Sequence, residues 1–176
     1  MYESTIIDKS QVTELIELCE FPDNQKFMLL YSASKNKNGH DFDDFHIRCD
    51  GVKNTLTIIR TSQNYIFGGY TDAAWDSADH DIEDPNSFIF SLKNCDNSPF
   101  KASCTDSKTS IYGGSDYGPT FGFSDIELGS CFLNKLYGSS TMGYNASYEN
   151  PLSKSYILAG AEHFSVINFE VYELVE

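Results

Sequence analysis

The chain has 176 residues, 26 acids against 12 bases, and a net charge of −14. That balance argues against binding a nucleic-acid backbone or an anionic membrane surface, both of which need a basic face, and it favours a basic protein partner. No apolar run approaches the roughly eighteen residues of a membrane helix, and the N-terminus lacks the basic-then-apolar pattern of a signal peptide, so the expectation is a soluble, cytoplasmic, single domain over residues 1–176.

Asp8 or Ser10 can cap a helix running to about Cys19. Val12, Leu15, Ile16 and Cys19 recur at i, i+3, i+4 and i+7, which makes one apolar stripe. Residues 26–32 read as a buried strand. Asp41 can cap a second, short helix with Phe42, Phe45 and Cys49 on one side, and Asp43 and Asp44 suit its positive end. Residues 55–60 and 65–71 form a hairpin. Gly68 and Gly69 inside its second strand suggest a bulge or a close backbone approach. Phe88, Phe90 and Leu92 share one face of a strand, as do Phe100, Ala102 and Cys104.

In 111–128 the apolar parity shifts between Phe123 and Ile126, which predicts a bend or bulge near Ser124 and Asp125. Residues 129–160 are rich in Gly, Ser, Asn and Tyr and predict long loops with one or two short strands. In the last strand, Ile167, Phe169 and Val171 alternate with Asn168, Glu170 and Tyr172. The fold class is therefore mostly β (α+β): a β-sandwich of two antiparallel sheets with two short flanking helices near the N-terminus.

The densest acid cluster comprises Asp72, Asp76, Asp79, Asp81, Glu83 and Asp84, with no Lys or Arg between Arg60 and Lys93. An EF-hand pattern fails there, because Asp84 stands where Gly is needed and Phe90 where the bidentate Glu is needed. An irregular calcium site on Asp79, Asp81 and Glu83 is one alternative, and a solvated surface loop is the plain one. Trp75, Asp79, Asp81, Glu83 and Asp84 are the candidate partner-binding residues, although a single Trp more often packs over a sheet edge.

The five Cys (19, 49, 95, 104 and 131) have no C-x-x-C pair and read as mostly buried thiols in a reducing compartment. Only Cys49 has an adjacent base, Arg48. A thiol-based redox enzyme would need it exposed with a depressed pKa, yet Cys49 also completes the second helix's apolar stripe. The four His show no H-x-H or H-E-x-x-H spacing. No nucleophile elbow, Walker loop or G-x-G-x-x-G is present. No catalytic, cofactor or metal residue is assigned.

An ordered series of motifs remains: Leu29-Leu30-Tyr31-Ser32, the helix from Phe45 to Cys49, Phe67-Gly68, Trp75, and Ser87-Phe88-Ile89-Phe90-Ser91-Leu92. Looser matches follow at Gly113-Gly114, Phe121-Gly122-Phe123, residues 147–152 and Phe164 to Tyr172. From Ser4 to Val175 the series resembles the TLDc domain, found in eukaryotic oxidation-resistance proteins. Two departures stand out: Glu170-Val171-Tyr172 replaces the family's frequent Glu-Val-Trp, and the glycine-rich stretch is less continuous. The resemblance implies the same sandwich and a non-enzymatic role in protection against oxidative stress. It also implies binding to subunits of the vacuolar proton-pumping ATPase.

Overall fold

Helix α1 spans Lys9–Cys19 and begins on a reciprocal cap. The Asp8 carboxylate accepts from the Gln11 amide at 3.0 Å, and the Gln11 side chain accepts from the Asp8 amide at 3.1 Å. Two amides that a helix start leaves bare are thereby satisfied. Leu15 and Cys19 are buried and Val12 packs beside them. A computed structural model describes residues 4–35, 42–132 and 135–175, with the backbone alone at 130–132 and 135. Helix α2, Asp43–Cys49, buries Phe45 and Cys49 and carries Asp43 and Asp44 in its first turn. Phe42 occupies its N-cap without a side-chain hydrogen bond. The expected cap, Asp41, lies outside the described residues.

The strands are β1 (Lys26–Ser32), β2 (Thr55–Thr61), β3 (Ile66–Thr71), β4 (His80–Ile82), β5 (Phe88–Lys93) and β6 (Phe100–Ser103). They continue as β7 (Ile111–Gly113), β8 (Thr120–Phe121), β9 (Ile126–Phe132), β10 (Lys135–Ser139) and β11 (His163–Val175). The class is mostly β with two short helices. All eleven strands join one hydrogen-bonded sheet in the order β4-β7-β8-β9-β10-β11-β2-β3-β5-β6, with β1 added to β11. The sheet turns back on itself, for a Cβ at Gly69 of β3 would lie 2.6 Å from the Phe121 ring of β8, five places away in the strand order. On one face, Phe67 of β3 sits edge-on to Phe164 of β11 with centroids 5.4 Å apart. Gly68 and Gly69 thus answer to close approach: a Cβ at Gly68 would fall 1.9 Å from the Thr57 carbonyl oxygen.

Strand alternation divides the apolar residues between two cores. Leu56, Ile58, Phe88, Phe90 and Leu92 face α1. Ile59, Phe67, Ile89, Phe100, Ala102 and Phe121 face the space between the two arms of the sheet, where α2 also packs. Shared burial of Phe88, Phe90 and Leu92 follows their period of two.

Two strand expectations need correction. β1 is an edge strand rather than a buried one: it pairs with β11, and Met28 is 48 % exposed. Phe27 and Leu29 pack on the helix-side core, and a bulge at Leu30 turns Tyr31 into the other core. In β11, Ile167 does not share a face with Phe169 and Val171. The pairing steps from Val166↔Thr61 to Asn168↔Arg60, so Ile167 is the extra residue of a bulge and stands 55 % exposed. The bulge resets the parity, placing Phe164 and Val166 before it and Phe169 and Val171 after it in one core. The expected break near Ser124 is a turn at 122–125 between β8 and β9.

Candidate functional site

The acid-rich segment from Asp72 to Asp84 is part loop and part strand. Its end forms β4, which pairs with β7 through His80↔Gly113, Asp81↔Tyr112 and Ile82↔Ile111. Ile82 packs against the core and anchors this short strand, whereas Asp79, Asp81 and Glu83 are exposed. The plain reading as a surface loop missed the strand because three residues of mixed polarity show no period.

Trp75 and Asp84, both candidates for partner contact, lie inside. Trp75 is 1 % exposed. Its indole N–H donates to Thr55 Oγ1 at 2.8 Å, and its ring meets Phe121 and Phe45 edge-on. The Trp75 carbonyl accepts from the Gly51 amide, tying the loop to the end of α2. Asp84 is 3 % exposed. Its carboxylate accepts from the Thr71 hydroxyl at 2.7 Å, the Asp72 amide at 2.8 Å and the Asn86 amide at 2.9 Å. A buried carboxylate with three donors is a structural clamp, so both residues support the surface from beneath.

The exposed carboxylates diverge. Asp79, held at a left-handed φ of 56°, accepts from the Ser115 amide, and Glu83 accepts from the Ser107 hydroxyl. Among the described residues no three His, Cys, Asp or Glu converge as a metal-binding group. Nothing in this geometry therefore favours the calcium alternative. His80 stands among these acids. Its Nε2 lies 3.0 Å from Asp76 Oδ2, and that hydrogen bond, with the Asp76 charge, raises the imidazole pKa.

The aromatic neighbours of the rim were not singled out from sequence. Tyr112 stands opposite Asp81 in the β4–β7 ladder, and its ring is edge-on to Tyr117 at 5.8 Å. Desolvation, then the negative charge of Asp79, raises the Tyr112 phenol. The Tyr117 carbonyl receives His46 Nε2 at 2.9 Å, while His46 Nδ1 contacts the Asp50 carboxylate at 2.9 Å. Acidic and tyrosine side chains thus lie along β4 and β7 and in the loops that flank them. The signal available was Tyr112 and Tyr117 flanking a Gly-Gly turn, which period-two reasoning leaves unassigned.

The cysteines are mixed. Burial pushes the Cys49 thiol up to about 12, with Arg48 opposing too weakly to matter, and burial does the same to Cys19. Cys104 is half-buried. Cys95 is exposed, because it sits in the turn after β5. The Cys131 side chain is outside what is described.

Residues 1–175 match the family model of the TLDc domain. The chain belongs to the TLDc domain family. The ordered motifs from Leu29 to Leu92 occupy core and turn positions of this TLDc domain, as their apolar and glycine content requires. No curated protein matches the chain. Among the described residues, no helix is long and apolar enough to cross a membrane.

Proposed function

We propose that this TLDc domain is a non-enzymatic interaction module. It grips a basic protein segment through the rim of Asp79, Asp81 and Glu83, with a subunit of the vacuolar proton-pumping ATPase as the partner. Protection against oxidative stress follows from that contact, and the cytoplasm is where it acts. The observation that carries the reading is the rim itself: three exposed carboxylates, Asp81 on β4 and Asp79 and Glu83 in the loops on either side of it, within a segment free of Lys and Arg from residue 61 to residue 92. Such a surface attracts a basic partner and repels an acidic one. The pump and the stress role come from the family.

The thiol alternative loses support from Cys49, which is fully buried and carries a raised pKa where a nucleophile needs a depressed one.

The test is affinity capture of pump subunits from lysate in gentle detergent, with and without ATP. Pump subunits are expected with the parent domain. Their recovery should fall with Asp79→Asn/Asp81→Asn/Glu83→Gln and at about 0.5 M salt, where screening shortens electrostatic reach to a few ångströms. Recovery of no pump subunit in either nucleotide state rejects the pump as partner.

A further inference from the structure

The outer face of β9, β10 and β11 carries a pocket adjoining the acidic rim. Register places Glu127 opposite Ser139 and Ser139 opposite His163, and Gly129 opposite Tyr137 one step along. The cavity measures about 530 Å³ and is lined by Asp116, Tyr117, Glu127, Gly129, Tyr137 and His163, among others. Gly129 opens its floor, since a Cβ there would already lie 3.1 Å from Glu127 Oε1 and 3.6 Å from the Tyr117 ring. Tyr117 is held in place from behind by the His46 contact to its carbonyl and by its own amide bonding to Gly114. Burial pushes the Glu127 carboxyl up, with His163 partly opposing. Among the described residues, none that lines it is Lys or Arg.

We infer that this pocket receives an arginine side chain from a basic segment of a protein partner. The guanidinium lies against the tyrosine walls and pairs with Glu127 and Asp116. Two features select this occupant. A cavity of this size holds a whole side chain, and walls of tyrosine with carboxylates at hand suit a planar cation that stacks and bonds through a fork. A compact ammonium gains less from the rings and cannot bond in that fork. The inference rests on the basic-partner reading above and deepens it. The Tyr112–Tyr117 contact joins rim to pocket, so one extended segment can engage both.

The experiment measures binding of a short fluorescein-labelled peptide of alternating arginine, glycine and serine by polarisation at low salt. The same peptide with citrulline, a neutral isostere of arginine, is the comparison. The parent domain is expected to prefer the arginine peptide by at least about tenfold. Glu127→Gln and Gly129→Leu, which neutralise and fill the pocket, should each weaken it by about fivefold or more. Amide spectra of both variants establish that they fold, and in the parent the peptide should shift the amides of residues 127–129 and 137–139. Three outcomes overturn the inference. One is equal affinity for the two peptides. Another is arginine binding that survives Gly129→Leu but is lost in the rim variant, which removes the pocket while the basic-partner reading stands. The third is displacement by free spermine at the peptide's own concentration, which makes a small polyamine the occupant.

Discussion

The Tyr172 hydroxyl donates at 2.8 Å to Glu170, a glutamate with no exposure to solvent. Glu170 also accepts from the Ser4 hydroxyl at 2.7 Å, the Thr5 amide at 2.9 Å and the Thr5 hydroxyl at 2.8 Å. Its neighbour Asn168 bonds Thr5 and the Ser34 amide. Among the described residues no Lys or Arg pairs with Glu170, and these hydrogen bonds compensate its burial. Glu170→Ala strands these donors and should cost about 3–5 kcal/mol. Glu170→Gln turns one acceptor into a donor and should cost about 1–3 kcal/mol. Urea unfolding with an unchanged slope checks both; a loss under 1 kcal/mol for the alanine variant would reject this role.

Asp125 predicts an inverted pH dependence. It is fully buried, with Oδ2 accepting the Ser147 amide at 2.8 Å and Oδ1 lacking a partner. Burial pushes its carboxyl up to about 7 from 3.8, the Ser147 bond opposing. Between those values the folded protein keeps a proton that the unfolded chain has lost. This group's contribution is therefore full below about pH 4 and falls away as pH rises towards 7, by up to about 4 kcal/mol. Asp125→Asn should remove that slope and be the more stable form at pH 8. Unfolding curves at pH 4.5, 6 and 8 decide it, and a parent that gains stability over the variant as pH rises contradicts the assignment.

At Gly68 the obstacle to a side chain is main chain. The Thr57 carbonyl 1.9 Å from the would-be Cβ cannot move without separating β2 from β3. Gly68→Ala should cost about 2–4 kcal/mol, read as a lowered thermal midpoint. An unchanged midpoint would mean that the two strands have slack.

Native thiol labelling, mapped by peptide mass, should modify Cys95 first among the four cysteines whose side chains are described. Cys19 and Cys49 should lag by at least about a hundredfold, because they react only on opening. Rapid modification of Cys49 in the folded protein would reverse that ranking and reinstate a redox role.

Legibility from sequence followed the regularity of each segment. The stripe from Val12 to Cys19 and the alternation from Phe88 to Leu92 were readable because each turns one face to the helix-side core, Leu15, Cys19, Phe88, Phe90 and Leu92 being buried there. The parity of β11 was not, since the bulge at Ile167 depends on where β2 pairs with it. Of the candidate site, the exposed acids were visible as composition. The burial of Trp75 and Asp84 was hidden, because Thr55 and Thr71 reach them only after the chain has folded over. The pocket between Tyr117 and Tyr137 draws on one turn and three strands, a proximity that no local pattern encodes.

Strand β11 occupies the middle of the sheet although it comes last. β10 and β1 share one of its edges in tandem, and β2 takes the other. During synthesis the strands that precede β11 leave the ribosome first, with no strand to seal the gap between β10 and β2. Their open edges then wait for residues 163–175, in a long-range closure of the kind that folds slowly and exposes chains to aggregation. A ribosome stalled before β11 emerges would therefore present a client for chaperones, and loss of those residues should abolish the fold rather than trim it.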